Sequence, residues 1–229
     1  MNKHTISIAV PASIVADVPS LQLKTYKIGQ IARAAAVYCV SQIFIYADLS
    51  YTEQKRESSL VCEILRYMET PQYLRKKLFP LSSALRFVGM LPPLNTPHHP
   101  TENRLASIRN GEYREGVVTK TGSNWSLVEV GVEKPLRTSD VIPVGSRRTF
   151  RVLKESNKEA TLEPAESSAI QEYWGYKVVD ARETLGQLMV RKTFDLYILA
   201  SRIGLQIADT LEMIEERLFR ARKILIAFG

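Results

Sequence analysis

Two periods of hydrophobic and polar positions alternate over the first third of the chain. Residues 5–10 alternate and are rich in β-branched side chains, which predicts a strand that ends at Pro11. Residues 21–38 carry apolar side chains at helical spacing, residues 43–46 form a second short apolar run, and a second helical pattern follows. The predicted apolar stripes are Ile28, Ile31, Ala35 and Tyr38 in the first helix and Val61, Ile64, Leu65 and Met68 in the second. This alternation of strand and helix predicts a parallel sheet covered by helices.

Two local features concern how these helices begin and pack. Ser50 and Glu53 have the spacing of a capping box, so the second helix is predicted to begin there. In the first helix, the small residues Gly29, Ala32 and Ala36 lie beside the apolar face. Small side chains allow another backbone to approach closely, and this face would suit the dimer contact of a purely structural protein.

The pattern changes at about residue 92, where four prolines interrupt any helix: Pro92, Pro93, Pro97 and Pro100. Beyond them, helical periodicity is absent, and short alternating strands are predicted at residues 113–119, 125–131, 147–153 and 160–162. Glycines supply the turns and bulges between and within them. Several short strands at this spacing predict a compact antiparallel barrel of the OB-fold type.

After Pro164 the α/β pattern returns. Strands are predicted at residues 176–179 and 194–200 with a short helix between them, followed by a long helix and a last strand at residues 224–228. The long helix has an apolar stripe of Ile207, Leu211, Ile214 and Leu218. The barrel therefore interrupts one α/β domain. We predict an α/β domain at residues 1–100 and 166–229, with the inserted OB-like β-barrel at residues 101–165.

Composition narrows the class of protein. The net charge of +7 and the pI of about 9.4 favour a polyanionic partner, most commonly nucleic acid. No apolar run approaches the roughly 20 residues that a membrane span needs. Cys39 and Cys62 both lie in apolar helical patterns, so they are predicted to be buried thiols in a reducing compartment, and we expect a cytoplasmic protein.

The first candidate for chemistry is the segment Ala200-Ser201-Arg202-Ile203-Gly204, which follows a strand that we predict to be central in the sheet. Ligands of open parallel sheets bind beyond the carboxyl ends of the strands. Small residues let a backbone approach a ligand, and Arg202 can engage a carboxylate or phosphate. The alternative is an ordinary turn from strand to helix with a solvated arginine.

Basic and aromatic residues supply the candidates for nucleic-acid contact. Arg75, Lys76 and Lys77 lie between Tyr73 and Phe79, a combination that suits a phosphate backbone and a stacked base, although it also suits a solvated helix face. The pair His98 and His99 lacks the further ligands of a zinc site, so we predict no metal there and favour RNA contact or a structural hinge. The predicted barrel carries an excess of cations, Arg147 and Arg148 among them, with Trp125 and Phe150 available for stacking or for the core. No pattern of a hydrolase or of a nucleotide-cleaving enzyme is present, so those functions have no support.

Several segments together resemble the archaeal and eukaryotic SPOUT-class RNA methyltransferases. The resemblance covers the chain from end to end, and its most specific strings are Thr70-Pro71-Gln72-Tyr73-Leu74-Arg75 and the connector from Leu91-Pro92-Pro93-Leu94 to His98-His99. The other matching segments are Ile8 to Ser13, Lys24 to Gly29 with Arg33 to Ala36, Tyr173-Trp174-Gly175-Tyr176, Ser201-Arg202-x-Gly204 and Ala227-Phe228-Gly229.

This resemblance implies an α/β fold with a C-terminal trefoil knot, the inserted barrel, and a homodimer whose active site lies at the subunit interface. It implies that S-adenosylmethionine binds at Ser201, Arg202 and Gly204, with Gly229 beginning a second loop. A third cofactor loop of the family would lie beyond Gly229, so we expect the natural protein to continue there.

The expected reaction is methyl transfer to a base nitrogen of ribosomal RNA, uridine N3 by resemblance. Arg33, Arg75, Lys76 and Lys77 are the candidates for contacts to RNA phosphate or to the base anion. No general base can be named from the sequence. The alternatives are a non-catalytic RNA-binding or assembly factor with the same fold, and the structural dimer mentioned above.

Overall fold

The structure is a computed structural model that describes residues 4–49, 51–166 and 169–229, without the side chains of residues 51–53. Ser50 and the side chain of Glu53, which form the predicted capping pair, lie outside the described part of the chain. The chain divides into two compact units. The sheet unit comprises Met1–Glu69, Ser83–Pro92 and Gly175–Gly229, and the barrel unit comprises Thr70–Ser82 and Pro93–Trp174.

Strands and helices alternate at both ends of the chain, and a run of strands lies between them. In chain order the elements are β1 (Thr5–Pro11), α1 (Leu21–Val37), β2 (Gln42–Tyr46), α2 (Tyr51–Glu69), α3 (Gln72–Leu78), β3 (Tyr113–Thr121), β4 (Ser126–Glu129), β5 (Leu136–Thr138), β6 (Arg147–Lys154), β7 (Ala160–Ala165), β8 (Lys177–Asp180), α4 (Leu185–Arg191), β9 (Leu196–Ala200), α5 (Ile207–Arg220) and β10 (Lys223–Phe228). Short 3-10 turns occupy Ala12–Val15, Ser83–Leu85, Val88–Met90 and Leu105–Ser107.

The sheet unit contains a five-stranded sheet in the order β8-β2-β1-β10-β9, and all four strand pairs are parallel. The central strands β1 and β10 are apolar and mostly buried, as parallel strands covered on both faces should be. The predicted parallel sheet is therefore confirmed. The prediction that β9 lies at the centre of the sheet is wrong, because β10 inserts between β1 and β9 and leaves β9 at the edge.

Helix α1 shows why its small residues are needed. Its first turn is capped by Ser20, whose hydroxyl accepts a hydrogen bond from the backbone N–H of Leu23 at 3.2 Å. A side chain at Gly29 would place its Cβ 2.5 Å from a methyl carbon of Leu91, so the close approach is made by a leucine of the same unit. The contact accounts for Gly29 without a second copy of the chain.

The two cysteines differ from one another. Cys62 is buried, as predicted, and burial raises the pKa of its thiol to about 11. Cys39 is exposed, and its φ of 53° places it in the left-handed region directly after α1. The prediction of a buried Cys39 is wrong because α1 ends before the apolar pattern does.

Helix α5 forms where it was predicted, but its apolar stripe is less buried than expected. Ile207 is 70% exposed and Leu211 is 48% exposed, whereas Ile214 and Leu218 are partly buried. Leu218 packs against the cluster of Leu196, Ala221 and Ile224. The stripe therefore covers the sheet only near its C-terminal end.

The barrel unit contains a closed barrel in the order β3-β4-β5-β7-β6. Four of its strand pairs are antiparallel, but β5 and β7 are parallel, which the prediction of an antiparallel barrel did not include. The barrel interior is an apolar cluster in which Val128, Phe150 and Val152 are completely buried. Phe150 is thus a core residue and has no surface for stacking.

None of the helices in the described part of the chain combines the length and the apolar character that a membrane crossing requires.

Candidate functional site

The carboxyl ends of the parallel strands form one edge of the sheet unit. Register pairs Ala9 with Ala227 and Phe228 with Ala200, so the residues that follow β1, β10 and β9 lie side by side. The order of strands changes direction between β1 and β10, since β2 and β8 lie to one side and β9 to the other. Such a switch point is where open α/β sheets bind ligands.

The predicted cofactor residues come together at this edge. Ser201 follows β9 and Gly229 follows β10, directly after the paired residues Ala200 and Phe228. Ser201, Arg202 and Gly204 are exposed, and Arg202 donates no hydrogen bond to any residue that the structure describes. The segment has a defined turn, in which the Gly204 N–H donates to the Ser201 carbonyl at 3.3 Å. Arg202 is therefore available to an anionic ligand.

The side chain of Tyr46 links two neighbouring strand ends. The Tyr46 hydroxyl donates to the Phe228 carbonyl at 2.7 Å and thereby links β2 to the end of β10. A Cβ at Gly229 would lie 3.2 Å from that hydroxyl, so little space remains for a side chain. Burial and the nearby Asp48 carboxylate raise the pKa of Tyr46, so the phenol keeps its proton at neutral pH.

Asp48 lies two residues beyond the end of β2 at this edge, and sequence reasoning did not select it. Its carboxylate accepts hydrogen bonds from the Ser13 hydroxyl and, at 2.7 Å, from the Gln54 amide. Asp48 is exposed, but partial desolvation still raises the pKa of its carboxyl group. The hydrogen bonds from Ser13, Gln54 and the backbone outweigh this effect, so the net pKa is lowered. An anion held in this way is a weak proton acceptor and a good hydrogen-bond acceptor. The only signal in the sequence was its position after a predicted strand.

In the barrel unit, a buried carboxylate organises part of the predicted RNA-binding set. Glu115, on β3, accepts hydrogen bonds from Arg147 at 2.8 Å, from Thr149 at 2.5 Å and from the Trp174 indole at 2.7 Å. Arg147 also donates to the Thr70 hydroxyl at 3.1 Å, and only 25% of its side chain is exposed. Arg147 therefore makes its hydrogen bonds within this unit, whereas its neighbour Arg148 is exposed.

The basic run on α3 is only partly open to a ligand. Arg75 donates to the Thr70 carbonyl at 2.8 Å, and Lys77 forms an ion pair with Glu129 at 3.4 Å. Lys76 is exposed. The aromatic residue expected to stack on a base is used internally, because Tyr73 donates to the Glu115 carbonyl and its ring lies where a Cβ of Gly131 would be, 2.6 Å from that position.

The histidine pair also lies in the barrel unit. His98 is 1% exposed, with its ring 4.3 Å from that of His99 and 6.0 Å from that of Trp174. His98 therefore has no surface with which to contact RNA, whereas His99 is partly exposed. Within the described residues, no three His, Cys, Asp or Glu side chains lie close enough together to hold a metal ion.

Arg33 lies on α1 of the sheet unit and is exposed. The sequence therefore placed candidate RNA contacts on both units: Arg33 on the sheet unit and the remaining candidates on the barrel unit. Arg33, Lys76 and Arg148 are exposed and have no ion pair with a described residue, whereas the exposed Lys77 pairs with Glu129. Their roles stay predictions.

The comparisons with known proteins agree on one family. The family model described as "Putative RNA methyltransferase" matches residues 5–229. The chain is 31% identical to the 28S rRNA (uridine-N(3))-methyltransferase of Mus musculus, over 99% of this chain and 62% of that protein. It is likewise 31% identical to the protein of the same name from Drosophila melanogaster, over 100% of this chain and 51% of that protein.

An archaeal relative is similar over most of its length. The chain is 32% identical to an uncharacterised protein of Haloarcula marismortui, over 98% of this chain and 78% of that protein. By contrast, the chain spans about half to two thirds of the two animal enzymes.

Proposed function

Because the chain belongs to this family of RNA methyltransferases, we propose that it transfers a methyl group from S-adenosylmethionine to N3 of a uridine in ribosomal RNA. The observation that carries the proposal is the match over residues 5–229, since it includes every strand end of the candidate site. The names of the animal relatives support the choice of uridine N3 and of ribosomal RNA.

Ser201, Arg202, Gly204 and Gly229 fit the proposed cofactor. They follow two neighbouring parallel strands, they are exposed, and Arg202 is available to the carboxylate of a methionine group. When bound, S-adenosylmethionine supplies an electrophilic methyl group on a sulfonium. The contribution of these residues is to hold that end of the molecule in one orientation, because alignment of the reacting atoms is a large part of methyl transfer.

The other residues of this edge have positioning roles in the proposal. Tyr46 holds the end of β10 through the Phe228 carbonyl, so it fixes the point at which Gly229 begins its segment. Asp48, kept ionised by Ser13 and Gln54, offers acceptor oxygens to a hydroxyl or an N–H of the RNA. The uridine N3 proton must leave before or during transfer, and a cation close to the base would stabilise the resulting anion. On the sheet unit, the candidate for this role is the exposed Arg33.

The finer features that the family resemblance implies belong to the same proposal. We propose a knotted SPOUT-type sheet domain, an OB-like barrel inserted at residues 101–165, a homodimer and a cytoplasmic location. The parallel β5–β7 pair and the barrel order support the OB-like topology. The exposed apolar residues Ile207 and Phe219 of α5 support a self-association surface.

The test is cofactor binding and methyl transfer by the full-length protein. Arg202→Ala is expected to weaken S-adenosylmethionine binding about tenfold or more in calorimetry, because it removes a charged hydrogen-bond donor worth roughly 1.5–3 kcal/mol. Arg217→Ala is the matched control, since it removes an exposed arginine from α5 and should leave binding unchanged.

Mass spectrometry of ribosomal RNA nucleosides decides the reaction. We expect 3-methyluridine in RNA treated with the full-length protein and none with the Arg202→Ala variant. RNA binding without detectable cofactor binding by the parent protein would contradict the proposal and favour the non-catalytic RNA-binding factor.

A further inference from the structure

The outer surface of the barrel unit carries a group of residues that the family match does not explain. Register places Lys120, Leu127, Arg137, Thr161 and Leu153 in one row across β3, β4, β5, β7 and β6. Their neighbours Val128, Leu136, Leu162 and Val152 face the core. The row therefore points outward, and Lys120 and Arg137 flank the apolar Leu127 on it.

A tryptophan lies at one end of this row. Trp125 closes the turn between β3 and β4, where its carbonyl accepts a hydrogen bond from the Gly122 N–H at 2.8 Å. The Arg137 guanidinium lies 5.4 Å from the ring centroid and the Lys120 ammonium lies 5.9 Å from it. Both are cation–π distances. The indole is only partly buried, and its N–H has no hydrogen-bond partner among the described residues.

Gly122 leaves the space against the turn that the indole occupies. A Cβ at Gly122 would lie 2.6 Å from the indole nitrogen, so only glycine allows the ring to lie against the turn. An aromatic ring held in this way loses little conformational entropy when a second ring stacks on it. In the same unit, the Trp174 indole donates a hydrogen bond to Glu115, and the Tyr73 ring packs against the Gly131 turn. Neither ring offers a comparable open edge.

A cavity of about 570 Å³ lies along this row, since Arg137, Leu153 and Thr161 line it. It is lined by Asn124, Arg137, Ser139, Asp140, Thr161 and Glu163, among others. Its volume is within the range of about 300–1,000 Å³ that small-molecule sites occupy. The two carboxylates would repel phosphate but can accept hydrogen bonds from the edge of a base, whereas Lys120 and Arg137 can hold phosphate.

We infer that Trp125, Lys120 and Arg137 form a binding site for an unpaired nucleotide of single-stranded RNA, with its base stacked on the indole. The strand order supports this, because the second and third strands of an OB-type barrel and the loop between the first and second are the surface that binds oligonucleotides, and here they are β4, β5 and the Trp125 turn. Duplex RNA is the weaker candidate, since its bases are already stacked. The inference rests on the proposed function for the existence of an RNA substrate.

The main test is equilibrium binding of a fluorescein-labelled oligouridine to the full-length protein, followed by anisotropy. Trp125→Ala is expected to weaken binding about tenfold, and Trp125→Phe, which keeps an aromatic surface, by less than about threefold. Binding of an RNA duplex of equal length should change little in either variant. Thermal unfolding of both variants shows that the barrel is intact.

Salt dependence tests the two cations. Lys120→Ala and Arg137→Ala should each lower the slope of log affinity against log salt by about 0.7, the value for one lost phosphate contact on a single strand. Lys134→Ala is the matched control, because it is an exposed lysine beyond the other end of β4 and changes the net charge equally. An unchanged slope in both test variants would overturn the assignment of the cations.

Indole fluorescence gives an independent readout. Stacking of a base on Trp125 should quench the emission of the parent protein, and Trp125→Phe, which keeps Trp174 as the other indole of residues 1–229, should lose that quenching. Equal oligouridine affinity of parent and Trp125→Ala overturns the inference, and so does a parent that binds no oligouridine. Neither result touches the proposed function, which cofactor binding and 3-methyluridine formation decide separately.

Discussion

The interior of the barrel and the C-terminal part of the sheet unit differ in how far their side chains are buried. In the barrel, the apolar residues are buried and the carboxylate of Glu115 has donors from three side chains. In the sheet unit, residues 201–209 are all exposed, and no residue of α5 is buried. The side chains of the barrel interior therefore find their contacts and hydrogen-bond partners inside the barrel unit, whereas polar and apolar groups after β9 remain exposed to solvent.

This difference indicates where function can lie in each unit. A closed barrel has no free strand edge, so it can interact only through the outer faces of its strands and through its loops. The sheet unit instead offers strand ends and a partly covered helix. Substitutions in the barrel interior should therefore cost folding free energy, and substitutions beyond β9 should act on binding. The following predictions test this contrast.

The largest effect is expected for Phe150→Ala. The side chain is fully buried, and removal of a buried phenylalanine typically costs about 3–5 kcal/mol of unfolding free energy. Urea denaturation of parent and variant measures the loss. A stable variant with weakened RNA binding would contradict the assignment of Phe150 to the core and favour the stacking alternative that the sequence left open.

Glu115→Ala is expected to have the next largest effect. It removes the acceptor of Arg147, Thr149 and the Trp174 indole and leaves a largely buried guanidinium without its carboxylate. The loss should be about 3 kcal/mol, at the lower end for buried pairs because Arg147 is 25% exposed. Urea denaturation measures it, with Glu129→Gln as the control. Glu129 pairs with an exposed Lys77, so its loss should cost below about 1 kcal/mol.

The sequence predicted the parts of the fold that depend on local periodicity. The apolar runs at β1 and β2 and the stripes of α1 and α2 gave elements of the right type in the right places. The order of the strands in the sheet could not be predicted from the sequence, because β9 has the same apolar pattern as a central strand. Strand β5 was missed because three residues, Leu136–Thr138, are too few to show a period.

The candidate site was predictable to a similar extent. Position after a strand was enough to select Ser201, and the family resemblance added Gly229. The register brings the two residues together. Burial and pairing depend on residues distant in the sequence, so the loss of His98 and Arg147 as open contacts could not be foreseen. Asp48 was missed for the same reason, since Ser13 is 35 positions away and contacts it only in the folded chain.

A smaller effect is expected for Asp48→Asn at the open edge of the sheet unit. The pKa of Asp48 is lowered in the folded state, so its carboxylate stabilises the fold above its unfolded pKa of about 3.9, and this contribution is lost as the pH falls through the folded pKa. At pH 7 the free energy of unfolding of the variant should be lower than that of the parent. The difference should be under about 1 kcal/mol because the residue is exposed.

The difference between the two proteins should vanish at pH values below the folded pKa. Urea denaturation at several pH values measures it, with the exposed Glu215→Gln as a control for the general loss of a charge. A difference that stays constant down to acidic pH would mean that the Asp48 carboxylate is not the source of the effect.

The smallest effect on folding is expected for the double substitution of Ile207→Ser and Phe219→Ser on α5. These side chains are 70% and 83% exposed, so the unfolding free energy of the monomer should change by within about 0.5 kcal/mol. Sedimentation velocity should show weaker self-association, because the substitutions remove apolar surface that a second copy would bury. Since a dimer gains apparent stability with concentration, denaturation is measured where sedimentation shows monomer. A large loss of monomer stability would mean that α5 is packed like the barrel interior and would remove the contrast between the two regions.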